Sequence, residues 1–166
     1  MLITLKSPPC VLWWTSHLFQ ADRKYPHRSG VGYYSVTGNF TQENKKLLNE
    51  LILRELGRKV DGTIAYKSDG TGNTDVKFKC LEELKTKEGK TIHQAPSVLD
   101  KEGNPYAGEI ETATGHIYFQ PRYYASYQKT SLILNKVEVI GPPPAQTEDE
   151  KIEELMAEMN SDVQRH

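Results

Sequence analysis

Residues 69–80 read Asp-Gly-Thr-Gly-Asn-Thr-Asp-Val-Lys-Phe-Lys-Cys, and this stretch decides the fold class. Its first half is turn chemistry, because glycine tolerates a positive φ and the Asp and Asn oxygens bond local backbone groups. Its second half alternates, so Val76, Phe78 and Cys80 face one side of a strand while Lys77 and Lys79 face the other. The pattern predicts a half-buried strand that displays positive charge, although an ordinary solvated strand face has the same spacing.

Segments on both sides of this strand also have extended character. Residues 2–15 alternate but are interrupted by Ser-Pro-Pro at 7–9, since proline donates no ladder hydrogen bond. One of Trp13 and Trp14 is expected in the core, because neighbours in a regular strand face opposite sides. Residues 116–124 and 131–140 are predicted as two further strands. The inward-facing set of the second is drawn from Leu132, Leu134, Val137 and Val139, depending on where a bulge falls.

One long helix is predicted in the domain that precedes the tail, over residues 41–56. Thr41 is a good N-cap, Glu43 lies in the first turn, and Gly57 supplies the stop. Apolar residues recur at helical spacing along it, at Leu47, Leu48, Leu51, Ile52 and Leu56. The stripe predicts a face that packs on the sheet, and a partner-binding groove is the alternative.

Four segments together carry a resemblance to a known family. Residues 69–80, 89–93, 98–105 and 131–140 resemble, in order and spacing, the second half of the single-stranded DNA-binding proteins of short-tailed (podovirus-type) bacteriophages. The resemblance implies a mainly β fold: a five-stranded antiparallel oligonucleotide-binding barrel with one covering helix and an acidic C-terminal tail. It also implies a protein of the host cytoplasm that coats and protects single-stranded DNA during replication and recombination, and that recruits phage DNA polymerase and helicase-primase.

Charge is distributed unevenly along the 166 residues, whose formal net charge is -1. Residues 1–140 hold 19 Lys and Arg against 15 Asp and Glu, whereas residues 141–166 hold 2 against 7. Three prolines at 142–144 predict an extended spacer. We therefore expect a DNA-binding domain at 1–140 and a spacer with an acidic tail at 141–166. The uneven charge is typical of tails that compete with a polyanion or recruit a basic partner.

The tail itself has a helical pattern. Thr147 and Glu150 form a capping box, and apolar residues follow at i, i+3, i+4 and i+7 from Ile152. Such a helix docks on its own domain, pairs two copies into a homodimer, or binds a replication enzyme. The acidic residues assigned to partner binding are Glu148, Asp149, Glu150, Glu153, Glu154 and Glu158.

Candidate DNA-binding residues fall in three places. The loop at 15–34 interleaves cations and aromatic rings, which suits phosphate contacts and base stacking, and a solvated connection is the alternative. The lysines of residues 69–80 are the second group, and a cluster of rings at the end of the strand 116–124 is the third. The assigned residues are Trp14, Arg23, Lys24, Arg28, Tyr33, Lys77, Lys79, Arg122, Tyr123 and Tyr124. The resemblance supports Arg28 and Tyr123, at whose places the family contacts DNA.

Two other functions share parts of this pattern. Asp69, Asp75, Glu82 and Glu83 cluster near one strand, as in a metal-dependent nuclease. An oligonucleotide-binding fold that serves only as a protein-interaction module is the second rival. Metal-ligand spacing, a phosphate-binding loop of the Gly-x-x-x-x-Gly-Lys type and a nucleophile elbow are all absent from the sequence, so no enzyme activity, metal or cofactor is expected.

Cysteine usage and hydropathy bear on the compartment. Cys10 and Cys80 lie in apolar strand contexts and are predicted to be reduced, buried thiols. No apolar run approaches the roughly 20 residues of a membrane span, and no signal peptide is visible. The sequence predicts a soluble protein without a membrane partner.

Overall fold

The computed structural model of the chain describes residues 3–24, 26–27, 29–57, 66–68, 70–106, 110, 113–124 and 128–141. Arg28, Asp69 and residues 142–166 of the predicted spacer and tail lie outside these residues. Among the described residues, no helix is long and apolar enough to cross a bilayer.

The fold is mainly β with one long helix, as predicted. In chain order the elements are β1 Leu5–Lys6, β2 Cys10–Trp13, β3 Tyr33–Phe40, α1 Gln42–Leu56, β4 Tyr66–Ser68, β5 Thr74–Leu81, β6 Glu83–Lys85, β7 Thr91–His93, β8 Ser97–Asp100, β9 Ala113–Tyr124 and β10 Lys129–Gly141. A short 3-10 helix, Thr15–Leu18, follows β2. Strands β6 and β7 form a separate hairpin, and the other eight strands share one sheet.

Five strands of the large sheet form a closed cycle of pairings. β9 pairs with β2, β2 with β3, β3 with β5, β5 with β10, and β10 again with β9. Strands β1, β4 and β8 add to this cycle by pairing with β9, β5 and β10. The pairings of β10 with β5 and with β8 are parallel, which differs from the predicted antiparallel arrangement. A parallel neighbour needs a long connection, and residues 82–128 supply it between β5 and β10.

Strand β5 has the predicted orientation. Val76, Phe78 and Cys80 are buried, whereas Lys77 and Lys79 stand on the exposed outer face. Phe78 lies edge-on to Phe119 of β9, with ring centroids 5.2 Å apart. The alternation that places rings in the core therefore places both ammonium groups on the surface.

The closing strand β10 contains the expected bulge. Its register against β9 shifts between Leu134 and Lys136. Leu132 and Leu134 face inward before the shift, and Val137 and Val139 face inward after it. The bulge inserts one extra residue, so the inward-facing positions change from even to odd numbers and all four predicted residues face the core.

The helix α1 begins and ends as predicted. Thr41 Oγ1 accepts a hydrogen bond from the Asn44 N–H at 3.2 Å, and Gly57 closes the helix in the left-handed conformation with φ 66°. Leu48 and Ile52 are fully buried. The packing face is narrower than the predicted stripe, because Leu47 is 45% exposed.

For the N-terminal strands, the predicted break is confirmed and the predicted burial of a tryptophan is wrong. The Ser-Pro-Pro segment does separate β1 from β2, and Ser7 there bonds the backbone of Ile117 on β9. Neither tryptophan is in the core, since Trp13 is 44% and Trp14 is 74% exposed. Leu12 occupies the inward position, so Trp13 faces outward, and Trp14 leaves the strand in the left-handed conformation.

The two cysteines are buried and free, as predicted. Burial raises the pKa of the Cys10 thiol to about 12 and that of the Cys80 thiol to about 11. Both are therefore protonated at neutral pH, so they behave as small core residues rather than as nucleophiles.

Candidate nucleic-acid interface

An open cleft of about 350 Å³ lies on the outer face of β3, β5, β9 and β10. Its polar and aromatic lining includes His27, Tyr33, Lys79, Gln120, Arg122 and Tyr124. Its apolar lining includes Leu81, Leu84 and Ile133. Cations, rings and apolar surface thus meet in one depression.

Strand register brings these residues together from distant parts of the chain. Lys79 of β5 pairs with Ser35 of β3 on one side and with Ile133 of β10 on the other. Ile133 in turn pairs with Gln120 of β9. Arg122 and Tyr124 follow Gln120 at alternate positions, so they stand on the same outer face.

Two cations in the cleft lie against aromatic rings. Lys79 Nζ is 4.8 Å from the centroid of the Tyr33 ring, and the Arg122 guanidinium carbon is 5.2 Å from the centroid of the Tyr124 ring. Such contacts hold a positive charge beside an aromatic face. A ligand with alternating anionic and planar groups would find both partners at each of these two places.

The protonated form of Lys79 is disfavoured in the free protein. Partial burial, and to a lesser extent the neighbouring Lys77, lower the pKa of its ammonium group. Lys77 stands two residues along the same face of β5, opposite Thr37 of β3. An anion bound between the two lysines would oppose this lowering of the pKa, because its negative charge favours the protonated ammonium groups.

Glu82 anchors the loop that carries His27 at the border of the cleft. Its carboxylate accepts hydrogen bonds from Arg23 Nε at 3.1 Å, from a second Arg23 nitrogen and from the Gly32 N–H at 3.3 Å. The Arg23 guanidinium lowers the pKa of this carboxyl group, and the carboxylate raises the pKa of Arg23. Arg23, predicted to contact phosphate, is therefore paired with an internal carboxylate.

The structure brings together some of the predicted site residues and separates others. Tyr33, Lys79, Arg122 and Tyr124 line the cleft, and Lys77 adjoins it. Tyr123 faces the opposite side of β9 from its two neighbours and is half-buried. Lys24 is exposed on the loop, where its N–H donates to Asp22.

Most of the residues that line the cleft were not among the predicted site residues. His27 lies edge-on to Tyr33 with ring centroids 6.2 Å apart, and Gln120 and Leu84 also line the cleft. Alternation along β9 would have placed Gln120 beside Arg122 and Tyr124. The position of Leu84 depends on how the β6–β7 hairpin meets the cleft, for which the sequence holds no signal.

The carboxylates of the nuclease hypothesis have other partners. Asp75 accepts a hydrogen bond from Asn39 at 2.8 Å, and Glu83 lies 3.7 Å from His93. Within the part of the chain that the structure describes, no group of three or more His, Cys, Asp and Glu side chains is arranged to hold a metal ion.

Comparison with known proteins finds similarity of structure. No protein-family model and no curated protein matches the sequence. The fold is similar to that of gp2.5, a single-stranded DNA-binding protein encoded by bacteriophage T7, with a TM-score of 0.65, 17% identity, and coverage of 93% of this chain and 95% of that one. It is also similar to the single-stranded DNA-binding protein of bacteriophage Enc34 in complex with single-stranded DNA, with a TM-score of 0.55, 11% identity, and coverage of 87% and 89%.

A second structure of the Enc34 single-stranded DNA-binding protein is similar to the same extent, with a TM-score of 0.54, 12% identity, and coverage of 87% of this chain and 84% of that one. The resemblance inferred from four short segments is thus confirmed as a likeness of fold to phage single-stranded DNA-binding proteins.

Proposed function

We propose that this protein binds single-stranded DNA along the outer face of its sheet, in the cleft. The observation that carries the proposal is the pair of cation–ring contacts, Lys79 with Tyr33 and Arg122 with Tyr124, on the walls of one cleft. The similarity of fold to two phage proteins named for this ligand supports it.

Phosphate neutralisation and base stacking would supply the affinity. Lys77, Lys79 and Arg122 are cations in or beside the cleft, and Tyr33 and Tyr124 offer rings there. Stacking on an aromatic side chain is worth about 1–3 kcal/mol per base and tolerates any base. Sequence preference is accordingly slight, and the protein acts by binding, without a catalytic step.

The closed cycle of β2, β3, β5, β10 and β9 supports a five-stranded oligonucleotide-binding barrel as the scaffold. In this proposal the protein coats and protects strands exposed during phage DNA replication and recombination. The acidic segment after residue 141 recruits phage DNA polymerase and helicase-primase, and a homodimer formed through that segment is the alternative use of its apolar stripe.

Titration with an oligothymidine at two salt concentrations tests the ligand. Exposed tryptophans and tyrosines report binding through quenching of their fluorescence. We expect quenching whose affinity falls steeply with salt, because phosphate neutralisation releases counterions. Absence of quenching at both salt concentrations would favour the interaction module, which keeps the fold and binds no nucleic acid.

Deletion of residues 145–166 tests the tail. If this segment of net negative charge competes with DNA for the cleft, its removal tightens binding, most strongly at low salt. Unchanged affinity at every salt concentration would rule out this competition.

Incubating the full chain with DNA and magnesium tests the nuclease hypothesis. We expect no cleavage, and cleavage would support that hypothesis.

A further inference from the structure

We infer that Trp13 forms a base-stacking subsite next to Lys77, outside the cleft, where the bound strand leaves the sheet. The inference deepens the proposed function and rests on it. Trp14, the tryptophan that the sequence singled out, is not part of this subsite.

Strand register places Trp13 in line with the basic face. Trp13 of β2 pairs with Thr37 of β3, and Thr37 pairs with Lys77 of β5. All three side chains point outward, because their strand neighbours Leu12, Val36 and Val76 are fully buried. The small Thr37 lies between the two long side chains, so it leaves a shelf about 10 Å wide, two strand spacings, between ring and ammonium.

Exposure of the ring requires an explanation. Trp13 is 44% exposed at the end of β2 although it belongs to a paired strand of the large sheet. A large aromatic surface that is left open beside a cation is typical of a stacking platform, since a base can cover the ring while its phosphate meets the lysine. Trp14 follows the last paired residue and turns out of the ladder with φ 55°.

The neighbouring row explains why the path ends here. One step further along the strands, Asn39 and Asp75 pair across β3 and β5, and the Asn39 amide donates to the Asp75 carboxylate at 2.8 Å. Asp75 also pairs with the exposed Lys67 of β4, so this row adds no net positive charge, whereas the rows of Lys77 and Lys79 each add one. The bound strand therefore runs from Arg122 through the cleft past Lys79 to Lys77, and its last base meets Trp13.

Two single-tryptophan variants separate the two rings. In Trp14→Phe, Trp13 is the only tryptophan, and we expect an oligothymidine of about 12 nucleotides to quench the tryptophan fluorescence strongly. In Trp13→Phe, Trp14 is the only tryptophan, and we expect little quenching of the tryptophan fluorescence. Strong quenching of Trp14 with none of Trp13 would overturn the inference.

Affinity supplies the second measurement. We expect Trp13→Ala to weaken binding about tenfold with an unchanged salt slope, because a stack is lost and no charge is removed. Trp13→Phe keeps a ring and most of the affinity, which guards against a folding defect, and Trp14→Ala is the matched control. Wild-type affinity in Trp13→Ala would refute the subsite alone, whereas a wild-type protein that fails to bind the oligonucleotide would refute the proposed function itself.

Discussion

Replacing Lys77 and Lys79 together with alanine removes two of the three cations proposed to neutralise phosphates and leaves Arg122. For single-stranded ligands, log K falls with log salt concentration by about 0.7 for each neutralised phosphate. Three cations therefore predict a slope of about −2 for the wild-type protein and about −0.7 for the double variant. The wild-type protein binds more tightly than the variant at low salt, and the ratio of their binding constants should fall roughly sevenfold as salt rises from about 50 to 200 mM.

The same substitution should leave the fold almost unchanged. Both side chains stand on the outer face of β5, while the buried residues Val76, Phe78 and Cys80 alternate with them and form the core face. Loss of the contact between Lys79 and the Tyr33 ring costs about 0.5–1 kcal/mol at an exposed site. Removal of the repulsion between the two lysines offsets part of this cost. The melting temperature should thus stay close to that of the wild-type protein.

Fluorescence titration with an oligothymidine over a series of salt concentrations measures both slopes. The matched control is Lys46→Ala with Lys101→Ala, which removes the same charge from exposed positions on α1 and on the turn after β8. The control should weaken binding little and keep the wild-type slope. Equal slopes in the cleft variant and the wild-type protein would show that β5 does not contact phosphate.

Three further results are expected. Because the pKa of Lys79 is lowered, the ammonium loses its proton earlier than an ordinary lysine as pH rises, so DNA binding should weaken at alkaline pH, and Lys79→Arg should abolish that weakening in the same titration. Glu82→Gln should reduce both the melting temperature and the affinity, since the loop anchor at Gly32 is loosened. The pKa of Glu82 is lowered in the folded state, so its stabilising contribution is present at neutral pH and is lost as acid protonates it, and the thermal stability of the variant should respond less to acid. Gly115→Ala should destabilise the fold by about 1–3 kcal/mol in chemical denaturation, because the added methyl group would overlap the backbone oxygen of Glu138 on the paired strand.

Local chemistry was enough to predict most of the elements. The cap at Thr41 and the stop at Gly57 gave the helix, and alternation in residues 76–80 gave both the core face and the charged face of β5. Proline at 8 and 9 predicted the break between the first two strands. Each of these signals acts within a few residues, so a single sequence contains the whole of it.

The same reasoning could not predict the register between distant strands, nor which charged side chains bond to each other. The sequence holds no signal that Arg23 meets Glu82, 59 positions away, and so the arginine looked available for phosphate. The rings near residue 123 looked equivalent until the register of β9 put Tyr124 in the cleft and Tyr123 on the other face. Trp13 could be assigned to the outer face only after Leu12 was seen in the core.

The contrast between local signals and long-range register also explains why the fold resembles that of gp2.5 at 17% identity, while the ligand contacts do not follow from the fold. A core position needs only an apolar side chain of suitable volume, and many sequences satisfy the inward positions occupied here by Val76, Phe78 and Phe119. A contact with a strand of DNA needs a cation and a ring that face outward and lie in adjacent rows. That condition depends on register across β3, β5, β9 and β10 at once, and a shift of one residue in any of them would turn its side chains into the core. The cation–ring pairs at Lys79 and Arg122 satisfy the condition in this chain, so they carry the functional proposal more directly than the fold does.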